Sequence, residues 1–79
     1  MKIKVAELFA GVGGFRLGLE KSNFKVVWSN QYEPATPNTQ HASMVYVNKF
    51  GSENHFNKDI NLIDPVDIPS HDMLCGGFP

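Results

Sequence analysis

The sequence predicts an α/β fold in which helices cover a parallel sheet. Apolar runs typical of strands alternate with stretches whose apolar residues recur at helical spacing, and glycine or proline separates most of them. The predicted order is strand, helix, strand, helix, strand, loop, strand. Right-handed crossovers make this a doubly wound arrangement. The chain has 79 residues, 42% of them hydrophobic, which is enough for one modest core.

The first strand and the first helix are separated by a glycine-rich turn. Residues 3–9 form an apolar run that indicates a largely buried strand. From Gly14 onward the period is helical, with Phe15 and Leu19 four residues apart on one face. Residues 25–30 are rich in β-branched and aromatic side chains and predict the second strand.

The second helix is predicted to begin at Thr36 and Pro37 and to end near Phe50. Threonine can cap free backbone N–H groups, and proline at the first helical position has no N–H that would stay unpaired. Gly51 follows as the expected C-terminal stop.

The last third of the chain predicts two further strands around a loop. Residues 55–60 form a short third strand of weaker pattern, and residues 71–75 form a fourth. Two prolines break residues 64–69 into a loop with room for one helical turn. Four strands with two helices leave one face of the last strand uncovered, so we expect the chain to be a piece of a longer protein.

Composition narrows the class of protein and its partners. The formal net charge is −1 and no two of the seven Lys and Arg residues are adjacent, so the chain carries no basic footprint for nucleic acid or membrane. No export signal or membrane span is predicted. The single cysteine excludes an internal disulfide, and we expect a cytoplasmic location. The three histidines fit no compact metal motif, so we expect no metal.

The glycine-rich turn is a candidate ligand site. Gly11, Gly13 and Gly14 let the backbone approach a ligand at the carboxyl end of the first strand. A dinucleotide fingerprint would need a third glycine where the chain has Arg16, and no glycine is followed by the Lys and Ser or Thr of a P-loop. The turn therefore predicts neither of those two sites.

Polar and apolar candidates follow each later strand. These residues are Gln31, Tyr32, Glu33, Asp59, Ile60, Gly77 and Pro79. In a wound α/β fold, ligands bind where the strands end at their carboxyl side, so we expect these residues and the turn to share one pocket.

Three stretches, in order along the chain, carry a family resemblance. Residues 9–16 are Phe-Ala-Gly-Val-Gly-Gly-Phe-Arg, residues 58–60 are Lys-Asp-Ile, and residues 72–79 are Asp-Met-Leu-Cys-Gly-Gly-Phe-Pro. They resemble the first motif, the third motif and the lead into the catalytic Gly-Phe-Pro-Cys-Gln motif of the DNA (cytosine-5)-methyltransferases. The resemblance implies an incomplete Rossmann-like, S-adenosylmethionine-dependent methyltransferase fold whose strand order is 3-2-1-4.

The same resemblance implies S-adenosyl-L-methionine as the cofactor. Phe9 and the glycine turn would surround its methionine and ribose, Tyr32 and Ile60 would contact the adenine, and Asp59 would bond the adenine amino group. The turn residues concerned are Phe9, Ala10, Gly11, Val12, Gly13 and Gly14. Gly77 and Pro79 would close the pocket after the fourth strand.

The chain departs from the family pattern at two places. Gln31 stands where members usually have an acidic residue that grips the ribose hydroxyls, and we expect Gln31 to take that role, with Glu33 as the alternative. The family's nucleophilic cysteine follows the residue matched by Pro79, so no catalytic residue is assigned and the chain alone is expected to be inactive. Cys75 is expected to be an inert core thiol.

The resemblance assigns residues 1–79 to the N-terminal part of a catalytic, cofactor-binding domain, without the target-recognition domain. It implies methyl transfer to C5 of cytosine in a bacterial restriction–modification system, with duplex DNA bound by the remainder of the enzyme. A complementing chain is a further possible partner. The alternatives are a noncatalytic remnant, one subunit of a split methyltransferase, and an enzyme that modifies cytosine in RNA.

Overall fold

The computed structural model describes residues 2–77, which form a four-stranded parallel sheet and two α-helices. The strands are β1 (Ile3–Leu8), β2 (Phe24–Asn30), β3 (His55–Phe56) and β4 (Met73–Gly76). The helices are α1 (Gly14–Leu19) and α2 (His41–Phe50). The sheet order is β3-β2-β1-β4, with every pair parallel. The predicted α/β class and the order 3-2-1-4 are confirmed.

The pairing of β1 with β2 contains an irregularity that sets which side chains are neighbours. Val5 pairs with Val26 but Ala6 pairs with Trp28, so Val27 is an extra residue on β2.

Beyond this irregularity, Glu7 pairs with Ser29 on one side and with Cys75 of β4 on the other. Paired residues of parallel strands point to the same face of a sheet. These three polar side chains therefore form a row across its centre.

The core lies around the two central strands. Its buried apolar residues are Val5, Ala6, Ala10, Val26, Trp28 and Tyr46. Trp28 stacks on Phe56 with ring centroids 5.7 Å apart, so its role is in packing.

The predicted start of the second helix was wrong. Helix α2 begins at His41, and Thr36 lies in the preceding turn, where its hydroxyl donates to the Thr39 carbonyl at 3.1 Å. The N–H of Ala42, in the first turn of the helix, donates to the Glu33 carboxylate at 3.0 Å. An acceptor nine residues earlier in the chain thus replaces the local cap, and Thr36 stabilises the loop instead. The predicted end at Phe50, with Gly51 after it at φ 87°, is confirmed.

The third strand is shorter than predicted, because residues 57–60 leave the sheet. Asp59 accepts a hydrogen bond from the Asn61 N–H at 2.9 Å and caps a 3₁₀ turn, Ile60–Leu62. A second 3₁₀ turn, Pro65–Asp67, fills the predicted loop. Of the helices in residues 2–77, none has the length and apolar character needed to cross a membrane.

Candidate cofactor-binding site

A cavity of about 570 Å³ opens at the carboxyl ends of β1 and β2, beside the chain that leaves β3. Its lining residues are Phe9, Asn30, Gln31, Tyr32, Glu33, Pro34, Ala35, Asp59, Ile60 and Asn61. Residues that follow β1, β2 and β3 therefore meet at one place. Six of the predicted residues are among them: Phe9, Gln31, Tyr32, Glu33, Asp59 and Ile60.

The other predicted residues are not among those that line the cavity. Those in the described part of the chain are Ala10, Gly11, Val12, Gly13, Gly14 and Gly77. Gly77 packs against the start of the turn, because a Cβ atom on it would lie 3.4 Å from the Phe9 carbonyl oxygen. Pro79 lies outside the described residues.

The glycine turn, residues 9–14, owes its shape to left-handed backbone conformations. Phe9, Gly11 and Gly13 have φ values of 51°, 59° and 93°. The turn is fixed to β2 by the Ala10 N–H, which donates to the Asn30 carbonyl at 3.0 Å. Phe9 adopts this conformation at a cost of roughly 1–3 kcal/mol, since it is not glycine. The strain lies at the residue that directly follows β1 and lines the cavity.

Gln31 links the glycine turn to the end of β3. The Gly11 N–H donates to its side-chain oxygen at 2.8 Å, and its backbone N–H donates to the Phe56 carbonyl at 3.1 Å. The oxygen of the Gln31 amide is thereby directed to the turn. Its NH₂ group is the hydrogen-bond donor of the side chain.

Glu33 lines the cavity and also stabilises α2. One carboxylate oxygen accepts from the Ala42 N–H at 3.0 Å, and the other lies 3.4 Å from the Thr36 hydroxyl, whose one proton it shares with the Thr39 carbonyl. A carboxylate near a helix N-terminus is favoured by the helix dipole. Of the two open candidates for the ribose, Glu33 is therefore the one with a structural role for both oxygens.

Sequence reasoning missed Asn30, Pro34, Ala35 and Asn61. Asn30 is buried, and its side-chain NH₂ donates to the carbonyls of Phe56 and Lys58 at 2.9 and 2.7 Å. These bonds fix the chain that leads from β3 to Asp59. A polar residue ending an apolar strand was the available signal for Asn30.

Behind the glycine turn lies a buried set of ionisable side chains. The Tyr46 hydroxyl donates to a Glu7 carboxylate oxygen at 2.9 Å and accepts from the Arg16 guanidinium at 3.2 Å. Arg16 forms an ion pair with Glu20 at 3.0 Å, but its guanidinium also lies 4.7 Å from the Phe50 ring centre.

Glu7 is the most unusual member of this set. Glu7 is fully buried, and its second carboxylate oxygen has no hydrogen-bond partner in residues 2–77. Burial raises the pKa of Glu7, and the Tyr46 hydrogen bond opposes that rise only in part. The charged form of Glu7 is thus disfavoured behind the turn.

Cys75 lies in the same row of the sheet and is half-buried. Burial and the neighbouring Glu7 carboxylate raise the pKa of the Cys75 thiol. A nucleophilic cysteine needs the opposite shift, because the thiolate is the reactive form. Within residues 2–77, no group of three or more His, Cys, Asp or Glu side chains is arranged to hold a metal ion.

Comparison with known proteins identifies the family. The family model for C-5 cytosine-specific DNA methylase matches residues 3–79. The chain belongs to this family. The Type II methyltransferase M.Sau3AI of Staphylococcus aureus is 48% identical over 83 residues, covering 99% of this chain and 20% of that relative. M.NgoBI of Neisseria gonorrhoeae is 46% identical, covering 96% of the chain and 22% of the relative.

A third Type II methyltransferase, M.HhaI of Haemophilus parahaemolyticus, is 39% identical over 77 residues. The chain spans about a fifth of the length of these relatives. Cytosine-5 DNA methyltransferases generally use S-adenosyl-L-methionine. The family thus accounts for the motif order that the sequence predicted.

Proposed function

We propose that the chain binds S-adenosyl-L-methionine in the cavity between the glycine turn and residues 31–35. In this proposal it forms part of the catalytic, cofactor-binding domain of a DNA (cytosine-5)-methyltransferase. The enzyme methylates C5 of cytosine in duplex DNA, in the cytoplasm of a bacterium with a restriction–modification system. The Type II names of its relatives support this assignment.

The observation that carries the proposal is the convergence of apolar and polar groups on one cavity. A volume of about 570 Å³ falls within the range of small-molecule and cofactor pockets. Phe9, Tyr32 and Ile60 offer apolar surface for a purine, and the Asp59 carboxylate offers an acceptor for an exocyclic amino group. This combination of apolar surface and a hydrogen-bond acceptor fits an adenosine-containing cofactor.

The glycine turn gives room to the rest of the cofactor. A Cβ atom at Gly11 would meet no atom within 4 Å, so the backbone there is open to a ligand. Gln31 is directed from β2 toward the same turn through its bond to the Gly11 N–H. Its NH₂ group is our candidate for binding the ribose hydroxyls, because a hydroxyl oxygen can accept a hydrogen bond from it. When bound, S-adenosyl-L-methionine supplies the electrophilic methyl group.

Asp59 offers a sharp test, because the chain contains a matched control. Asp59 and Asp64 each cap a 3₁₀ turn, accepting from the backbone N–H two residues on at 2.9 and 3.0 Å, but Asp59 alone of the two lines the cavity. We expect Asp59→Asn to weaken S-adenosylmethionine binding about tenfold, since a charge-assisted bond becomes neutral while asparagine retains the cap. Asp64→Asn should change affinity less than about twofold.

Isothermal titration calorimetry of the protein with S-adenosylmethionine measures both effects. Saturable binding that Asp59→Asn weakens and Asp64→Asn leaves intact supports the proposal. A wild-type protein that gives no saturable heat, or equal losses in the two variants, would contradict it.

A further inference from the structure

One side of the cavity is held in shape from outside the cavity. We call residues 31–35 the pocket wall, because all five line the cavity. Gln40 and Asn57 do not line it, yet their side-chain amides bond the backbone of this wall. Both lie instead on a separate shallow groove beside α2.

The Gln40 side chain pairs with the pocket wall as a neighbouring strand would. Its oxygen accepts from the Glu33 N–H at 2.8 Å, and its NH₂ group donates to the Glu33 carbonyl at 2.9 Å. The same NH₂ group donates to the Thr36 carbonyl at 2.9 Å. Both backbone groups of Glu33 are thereby satisfied by one side chain, so the orientation of this wall residue is fixed.

Asn57 extends the arrangement to a second wall residue. Its NH₂ group donates to the Gln31 carbonyl at 2.7 Å and to the Gln40 side-chain oxygen at 2.8 Å. Tyr32 lies between the two wall residues that the amides bond, Gln31 and Glu33. The backbone of Tyr32 is therefore anchored on both sides.

We propose that Gln40 and Asn57 are positioning residues that set the cofactor affinity of the pocket wall without touching the cofactor. This inference rests on the proposed binding of S-adenosylmethionine. A wall that is ordered before binding leaves less conformational entropy to lose when the ligand arrives. Because both amides are neutral, the effect is independent of pH between about 5 and 9.

Gln40→Met is the primary test, because methionine keeps the length of the side chain and removes its hydrogen bonds. The Gln40 side chain makes no cap bond to α2, so the substitution removes no hydrogen bond between that side chain and the helix. We expect S-adenosylmethionine and adenosine to bind about tenfold more weakly, by the same factor, since the wall faces the adenosine part. Asn57→Ala should weaken both about threefold. Asn48→Ala, at an exposed position of α2, is the control and should change neither.

Calorimetry at pH 6 and pH 8 and the thermal unfolding midpoint of each variant distinguish positioning from general damage. The inference predicts a parallel loss for both ligands at both pH values, with the midpoint within a few degrees of wild type. Binding within twofold of wild type in Gln40→Met would overturn it. If Gln40→Met fails to fold, Asn57→Ala decides, and unchanged affinity there overturns the inference. Absence of binding by the wild-type protein would instead refute the proposed function.

Discussion

The two sides of the cavity are built by different physical means. The glycine turn is backed by buried, ionisable side chains, with Tyr46 bonded to both Glu7 and Arg16. The pocket wall is held by the neutral amides of Gln40 and Asn57 at half-buried and exposed positions. Changes behind the turn should therefore alter the free energy of unfolding, whereas changes behind the wall should alter binding.

The largest effect is expected from a substitution of Gly13, which disrupts the glycine turn. Its φ is 93°, and an added Cβ atom would lie 2.2 Å from the Phe50 ring and 3.1 Å from the Tyr46 ring. Gly13→Ala should lower the free energy of unfolding by about 2–3 kcal/mol, because it combines backbone strain with overpacking. Urea denaturation measures the loss.

Gly14 provides the control for this substitution. It is the first residue of α1, and a Cβ atom there would meet nothing within 4 Å. Gly14→Ala should change the free energy of unfolding by less than about 1 kcal/mol and in the stabilising direction, since alanine favours the helix. Equal losses at the two glycines would show that Gly13 has no special contact with α2.

Glu7 tests whether the turn side is sensitive to pH. Burial raises its pKa in the folded protein above the ordinary value near 4.5, so the folded state holds this proton more tightly than the unfolded state. Its contribution to stability is fully present below about pH 4.5 and is lost as the pH rises through the folded pKa. The ionisable groups that interact with Glu7 are Arg16, Glu20, Tyr46 and Cys75, and a Glu7→Gln variant retains all four.

Glu7→Gln should therefore gain stability relative to wild type as the pH rises from about 4.5 to 8. The glutamine oxygen still accepts from the Tyr46 hydroxyl, so the difference between the two proteins isolates the titration of Glu7. Urea denaturation at several pH values measures it. A difference that is constant with pH, or that falls as the pH rises, would contradict a raised pKa.

The smallest effect is expected at Glu33, and it sharpens the description of the pocket wall. Glu33→Gln keeps an oxygen that can accept from the Ala42 N–H, and Gln31 is our candidate for the ribose. S-adenosylmethionine affinity should therefore stay within about twofold of wild type. A tenfold or larger loss in calorimetry would transfer the ribose role to Glu33.

The sequence predicted the elements whose signals are local. The strands β1 and β2, the glycine turn and the stop at Gly51 follow from apolar runs and glycine positions. The convergence of Gln31 and Asp59 on one cavity followed from the rule that parallel strands bring their carboxyl ends together.

The interactions that sequence reasoning missed join residues far apart in the chain. Tyr46 bonds Glu7 across 39 positions, and nothing near either residue signals that contact. The start of α2 was misplaced because its first turn is capped by Glu33, nine positions before Ala42, while Thr36 gave a stronger local signal. Such pairings depend on how the sheet and the helix pack, which local propensity does not encode.

The most direct test of the central claim is an amide chemical-shift titration of the ¹⁵N-labelled protein with S-adenosylmethionine. Binding in the cavity predicts saturable shifts at Gly11, Tyr32 and Ile60, on the turn, the pocket wall and the chain after β3. Lys25 and Glu53, which line a separate groove, should keep their positions. Shifts confined to that groove, or no saturable shift at the cavity residues, would contradict the claim.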